Sequence, residues 1–143
     1  MAAACSAAAL ACSSPLGPGE VAGTFALQRV AGDPLPAVDF ENADVTSRVF
    51  ADTIRLDGRG GGMAVGMRET VMRATGVRYG PTPAASELRY RIVDGRIAIE
   101  YVCPPNALCA AGPHLVARRT ADGLRVDEAL AGRVPRLYGR VAR

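Results

Sequence analysis

Four cysteines and a single histidine are the side chains of this chain with the widest chemical range, as nucleophile, metal ligand, disulfide partner or proton carrier. Cys103 and Cys109 bracket Pro104-Pro105-Asn106-Ala107-Leu108, a short loop stiffened by its prolines. In an oxidising, exported domain this spacing is expected to close as a disulfide, which the loop-entropy treatment values at about 2 to 3 kcal/mol. Zinc is the competing use of the pair, with His114 as a third ligand. It lacks a fourth ligand and the usual cysteine spacing of about two to four residues. No motif sets a Ser or Cys nucleophile beside His114, which follows Gly112-Pro113 at an expected strand start and reads as a surface or loop residue. The glycine-rich "DGRGGGM", 57–63, lacks the Gly-Lys-Ser/Thr ending and the following helix of a phosphate-binding loop, and reads as a hairpin connection. Glu69 shares a strand face with Met67 and Val71, either as an inward group that orients a ligand or as an ordinary carboxylate at a barrel mouth. No catalytic constellation, cofactor or metal is expected, and the chain does not read as an enzyme.

The elements that would position these residues are strands. In "SELRYRIVDGRIAIEYVC", 86–103, Leu88, Tyr90 and Ile92 alternate with Glu87, Arg89 and Arg91. Beyond Asp94-Gly95, Ile97, Ile99 and Tyr101 alternate in turn with charged and small residues. Asp-Gly between alternating runs signals a two-residue type I′ hairpin. That turn pairs Ile92 with Ile97, Tyr90 with Ile99 and Leu88 with Tyr101 on one face, and Arg89 with Glu100 on the other. A strand from about Thr24 to Ala31, a pair joined around 57–62, a hairpin at Asp122-Gly123 and a closing "RLYGRVAR" continue the pattern. Residues 41–51 are ambiguous, and "TGVRYGPTPAAS", 75–86, reads as a long connection, a lid or an exposed loop. The fold class expected is all-β, an antiparallel up-and-down β-barrel of about eight strands, with a small β-sandwich as the alternative. Phe25, Phe50, Met67, Glu69, Tyr90, Ile99 and Tyr101 are the expected lining of its interior.

The 143 residues suffice for one domain, and 49% hydrophobic with 22% charged residues is a globular composition. Much of the apolar share is Ala, so the core is thinner than that figure implies. The net charge of +3 is mild, every basic residue is Arg, and only 5% of residues are aromatic, so nothing suggests a base-stacking nucleic-acid surface.

Residues 1–11 are small and apolar, too few to span a bilayer as a helix. Ala9-Leu10-Ala11-Cys12, followed by Ser13-Ser14-Pro15 and Gly17-Pro18-Gly19, resembles the end of a bacterial lipoprotein signal peptide and its tether. The residues alone also permit ordinary signal cleavage or an incidental Ala-rich terminus. The resemblance implies diacylglycerol on the Cys12 thiol and a further chain on the freed amine, a firm membrane anchor. Cys5 lies inside the leader and is given no role. Gly23-Thr24-Phe25 with Leu27, and Ala31-Gly32-Asp33-Pro34-Leu35-Pro36, are similar to the opening of small lipocalin-like domains of bacterial lipoproteins. That resemblance implies that a late arginine, Arg136 or Arg140, covers Phe25 by a cation–π contact. The organisation expected is a signal-peptide remnant over 1–11, a flexible tether over 12–20 and a lipocalin-like barrel over 21–143. The location expected is the bacterial cell envelope, facing the periplasm and lipid-anchored. The partners expected are the membrane, through Cys12, and a small hydrophobic ligand in the barrel, but no nucleic acid. The alternative is a structural or interaction protein whose barrel is filled by its own side chains.

Overall fold

Alternating side chains punctuated by Gly, Asp and Pro form the strands β1 (Gly23–Val30), β2 (Asp33–Pro34), β3 (Ala37–Glu41), β4 (Val45–Leu56) and β5 (Gly61–Met72). The chain continues through β6 (Arg78–Val93), β7 (Arg96–Tyr101), β8 (Leu115–Arg119), β9 (Gly123–Ala129) and β10 (Arg136–Arg140). This computed structural model describes residues 16–109, 114–129 and 134–142; Cys5 and Cys12 lie outside them. From β4 to β10 each strand pairs antiparallel with the next, and β1 pairs with both β10 and β4. The result is a closed antiparallel barrel of eight strands, as expected, and not a sandwich. At the closing seam β1 meets β4 only over Gly23–Ala26 and Thr53–Leu56. Beyond that short contact β4 pairs with β3 and β1 with β2, so the seam is split.

The central hairpin has the expected register. Asp94 and Gly95 take φ of 51° and 72°, the left-handed pair that a type I′ turn requires. Leu88 then faces Tyr101, Arg89 faces Glu100, Tyr90 faces Ile99 and Ile92 faces Ile97. Between β4 and β5 the Asp57 carboxylate accepts the backbone N–H groups of Arg59 and Gly61, each at 2.8 Å, so the glycine-rich run is a hairpin connection. Those two amides hold the Asp57 carboxyl below its usual range. Close backbone approach requires glycine here: a Cβ on Gly62 would stand 2.2 Å from the Arg55 carbonyl oxygen.

Two segments differ from expectation. Residues 78–86, read as part of a connection, form the exposed first half of β6. The proline and glycine content is misleading because β6 pairs with β7 only from Leu88 onward, which leaves one edge of its first half unpaired. Pro81 and Pro83 lie in this half, and an edge strand tolerates proline and is protected by it. At the other end, residues within the expected tether form a single helical turn, α1 (Pro18–Val21). Glu20 accepts the Gly17 N–H at 2.7 Å, Val21 is buried and Leu16 packs against the core. The Tyr90 hydroxyl reaches the carbonyls of Pro18 and Asp57, so this turn is tied to the end of the barrel.

Candidate functional site

The inward face of the barrel has two characters. Along β6 to β9, Leu88, Ile97, Ile99, Leu115, Leu124 and Val126 are fully enclosed and apolar. Along β3, β4, β5 and β10 the same interior holds Asp39, Asp52, Arg68 and Arg136. Three local irregularities aim the strands there. Asp39 is the extra residue where β3 bulges against β4 and Phe50 where β4 bulges against β5, while on β6 Gly80 and Pro81 together oppose the single residue Glu69 of β5. A bulge bends its strand and re-aims side chains. Before Phe50 the buried residue of β4 is Val49; after it the buried set is Asp52, Ile54 and Leu56.

Asp52 and Asp39 each use one oxygen to collect both guanidinium groups. Asp39 Oδ2 accepts Arg136 Nη2 at 2.8 Å and Arg68 Nε at 3.0 Å. Asp52 Oδ2 accepts Arg68 Nη2 at 3.0 Å, the Tyr138 hydroxyl at 2.9 Å and a longer contact from Arg136 Nη1 at 3.3 Å. The Arg136 side chain is 0% exposed and that of Arg68 33%, so the cluster runs from the core to the surface. Two carboxylates offset two guanidinium groups, which is the condition for keeping charges in a low-dielectric interior. Among the described residues, buried Asp39 Oδ1 and Arg136 Nε have no protein hydrogen-bond partner. Space for the cluster comes from Gly66, directly opposite Asp52: a Cβ there would meet Arg68 Nη1 at 2.6 Å.

Burial first, and then the Asp52 charge, push the Tyr138 phenol far above its usual range, so it stays a neutral donor. Burial works against the Arg68 charge, yet Asp52 and Asp39 outweigh it and hold the guanidinium more firmly protonated than usual. What the cluster does physically is clamp β3, β4, β5 and β10 together across the split seam.

The residues expected from sequence are dispersed. Phe25, Tyr90 and Ile99 are buried in the core. Arg140, not Arg136, lies over the Phe25 ring at 5.9 Å and also donates to the Ala22 carbonyl at 2.8 Å. Tyr101 is half-buried, edge-on to His114 at 5.4 Å, and its N–H donates to His114 Nδ1 at 3.2 Å. Glu69 is buried and paired to Arg78 Nη1 at 3.1 Å, a partner outside the central clamp. Phe50 is a half-buried bulge residue outside the core cluster. Met67 alternates with Gly66 and Arg68 and sits opposite exposed Ala51, so it belongs to the outer side of the wall and not to the lining. Cys103 and Cys109 stand at disulfide distance, 2.00 Å between sulfurs. Cys12 lies outside the described residues.

Sequence reasoning missed Asp39, Asp52 and Arg68 and the inward role of Arg136. The available signal was period two: Asp52 is in step with Ile54 and Leu56, and Arg136 with Tyr138. A charge in step with an apolar face is a candidate buried ion. Comparison of the chain with protein-family models, curated proteins and solved structures gave no match.

Proposed function

We propose that this chain is an envelope-anchored lipoprotein, lipocalin-like in form, whose barrel is filled by its own side chains and which acts through its outer surface. The observation that carries the reading is the interior itself. Tyr138, Ile54, Leu88, Ile97, Ile99, Leu115 and the Arg136 guanidinium are enclosed side by side where a ligand-holding barrel keeps a cavity. Further support comes from Arg140 over Phe25, the contact that the lipocalin resemblance implies, and from the disulfide-distance pair, which suits an oxidising compartment. The anchor rests on the Ala9-Leu10-Ala11-Cys12 box.

Two measurements test the reading. Expressed with a full export leader, the wild type is expected to enter the detergent phase and carry acyl mass, and Cys12→Ser to do neither. Titrated with N-phenyl-1-naphthylamine, the folded protein is expected to show no saturable enhancement. One-to-one saturable binding would replace the filled barrel with a ligand-holding one.

A further inference from the structure

Strand register lines up a row of arginines on the outer wall. Arg29 of β1 stands opposite Leu137 of β10, Leu137 opposite Arg125 of β9, and Arg125 opposite Arg118 of β8. Adjacent strands are about 4.8 Å apart, so the row crosses the wall in steps of roughly 5 to 10 Å. Like charges directly opposite each other in a sheet cost stability unless a counter-charge stands between them.

One carboxylate tempers the row. Asp127, the bulged residue between the pairs Val116–Glu128 and Ala117–Val126, accepts a hydrogen bond from Arg118 Nε and forms an ion pair with Arg125, whose Nε stands 3.0 Å away. Arg96 adds its positive charge beside the same carboxylate. The arginines are oriented: Arg29 Nη1 donates to the Gly32 carbonyl at 2.8 Å, while Arg118 and Arg125 are fixed through Nε and keep 56% and 60% of their side chains exposed. Guanidinium groups held in this way present their remaining N–H forks to an oxyanion. Between Arg29 and Arg125 lies a shallow cleft of about 470 Å³ that includes Leu137, Ala31 and Pro135.

We infer that this arginine row is a second membrane contact, which receives the phosphates of anionic lipid headgroups while Leu137 meets the apolar part just below them. The inference rests on the anchored, surface-acting reading above and names the surface that acts. A row of exposed guanidinium groups spread over three strands, with an apolar residue between them and only an open, shallow cleft, matches an extended sheet of phosphates better than one small anion. Nucleic acid is disfavoured because no aromatic side chain stands in the row to stack on a base. Energetically, a lipid chain combined with a basic patch is the general way that a marginal anchor becomes stable.

The test uses the full chain carrying Cys12→Ser, so that its outcome is independent of acylation, which mass measurement decides separately. Sedimentation with vesicles of phosphatidylcholine containing about one third phosphatidylglycerol is compared with phosphatidylcholine alone. Binding is expected to the anionic vesicles and to weaken with salt. Arg29→Gln with Arg125→Gln should lower it by about tenfold or more, as each arginine near such a surface contributes about fivefold. Asp127→Asn, which removes the tempering carboxylate, should raise it severalfold; arginines that merely balance a folded sheet would give no such gain. Equal binding to both vesicles, or no response to either substitution, would overturn the inference. Failure to bind either vesicle would overturn it too.

Discussion

The β6–β7 hairpin and the charged clamp enclose the same interior by opposite means. In the hairpin, partners such as Tyr90 and Ile99 are joined through a turn only two residues long, and the contacts are apolar. In the clamp, Arg136 reaches Asp39 across 97 residues of chain and Asp52 across 84, and the contacts are ionic. A short turn fixes register before any tertiary structure exists. A buried ion pair has no geometry until the barrel closes, and each charge is costly without the other. The hairpin therefore supplies stability that survives local change, whereas the clamp makes closure of the split seam all-or-none.

The sharpest way to break that comparison is to remove one charge. Arg136→Met leaves two carboxylates facing Arg68 alone and should cost about 3 to 5 kcal/mol in urea unfolding. Arg136→Met with Asp39→Leu, which leaves the Asp52–Arg68 pair balanced and the Tyr138 hydroxyl bonded to Asp52, should cost less than the single substitution. A larger loss in the double variant would mean that the charges are not coupled. On the apolar side, Ile99→Ala should cost about 2 to 4 kcal/mol by lost transfer energy and a cavity, with little dependence on salt or pH.

Tyr138→Phe sharpens the contrast at smaller size, with an expected loss of about 1.5 to 3 kcal/mol for a hydrogen bond to a charged group. Its signature lies in alkali. The folded phenol titrates above its unfolded value, so below pH of about 10 both states are neutral and the contribution is complete. As pH rises further the unfolded state ionises first, and the stability of the wild type should fall. In Tyr138→Phe that part of the alkaline loss should vanish; an unchanged slope in stability against pH would place the titration elsewhere. The smallest effect is expected from Glu100→Ala, which breaks only the outward pairing with Arg89 and should cost about 0 to 1 kcal/mol. A loss from Glu100→Ala exceeding that from Ile99→Ala would overturn the face assignment of the hairpin.

Much of the barrel is legible in the chain because its hairpins are local. Asp94-Gly95 dictates a turn type, the turn dictates register, and register dictates that Tyr90 and Ile99 go in while Arg89 and Glu100 stay out. Of the two late arginines expected to cover Phe25, Arg136 and Arg140, it is Arg140 that lies over the ring. The first half of β6 was hidden because proline in a sequence does not reveal whether its strand has a neighbour on that side. Met67 was misplaced because β5 turns its small residues, Ala64 and Gly66, inward and its larger apolar ones, Met63, Val65 and Met67, outward, so side-chain size pointed to the wrong face.

By itself the sequence determined the central hairpin, the tight turns at Asp94-Gly95 and 57–62 and the apolar alternation of β6 and β7, since each depends on residues a few positions apart. Only the tertiary structure decided that Asp39, Asp52, Arg68 and Arg136 meet inside, and that Arg29, Arg125 and Arg118 line up outside. Both arrangements join residues through strand pairings and bulges far apart in the chain. Their energies depend on distances and burial that exist only once the sheet has closed on itself.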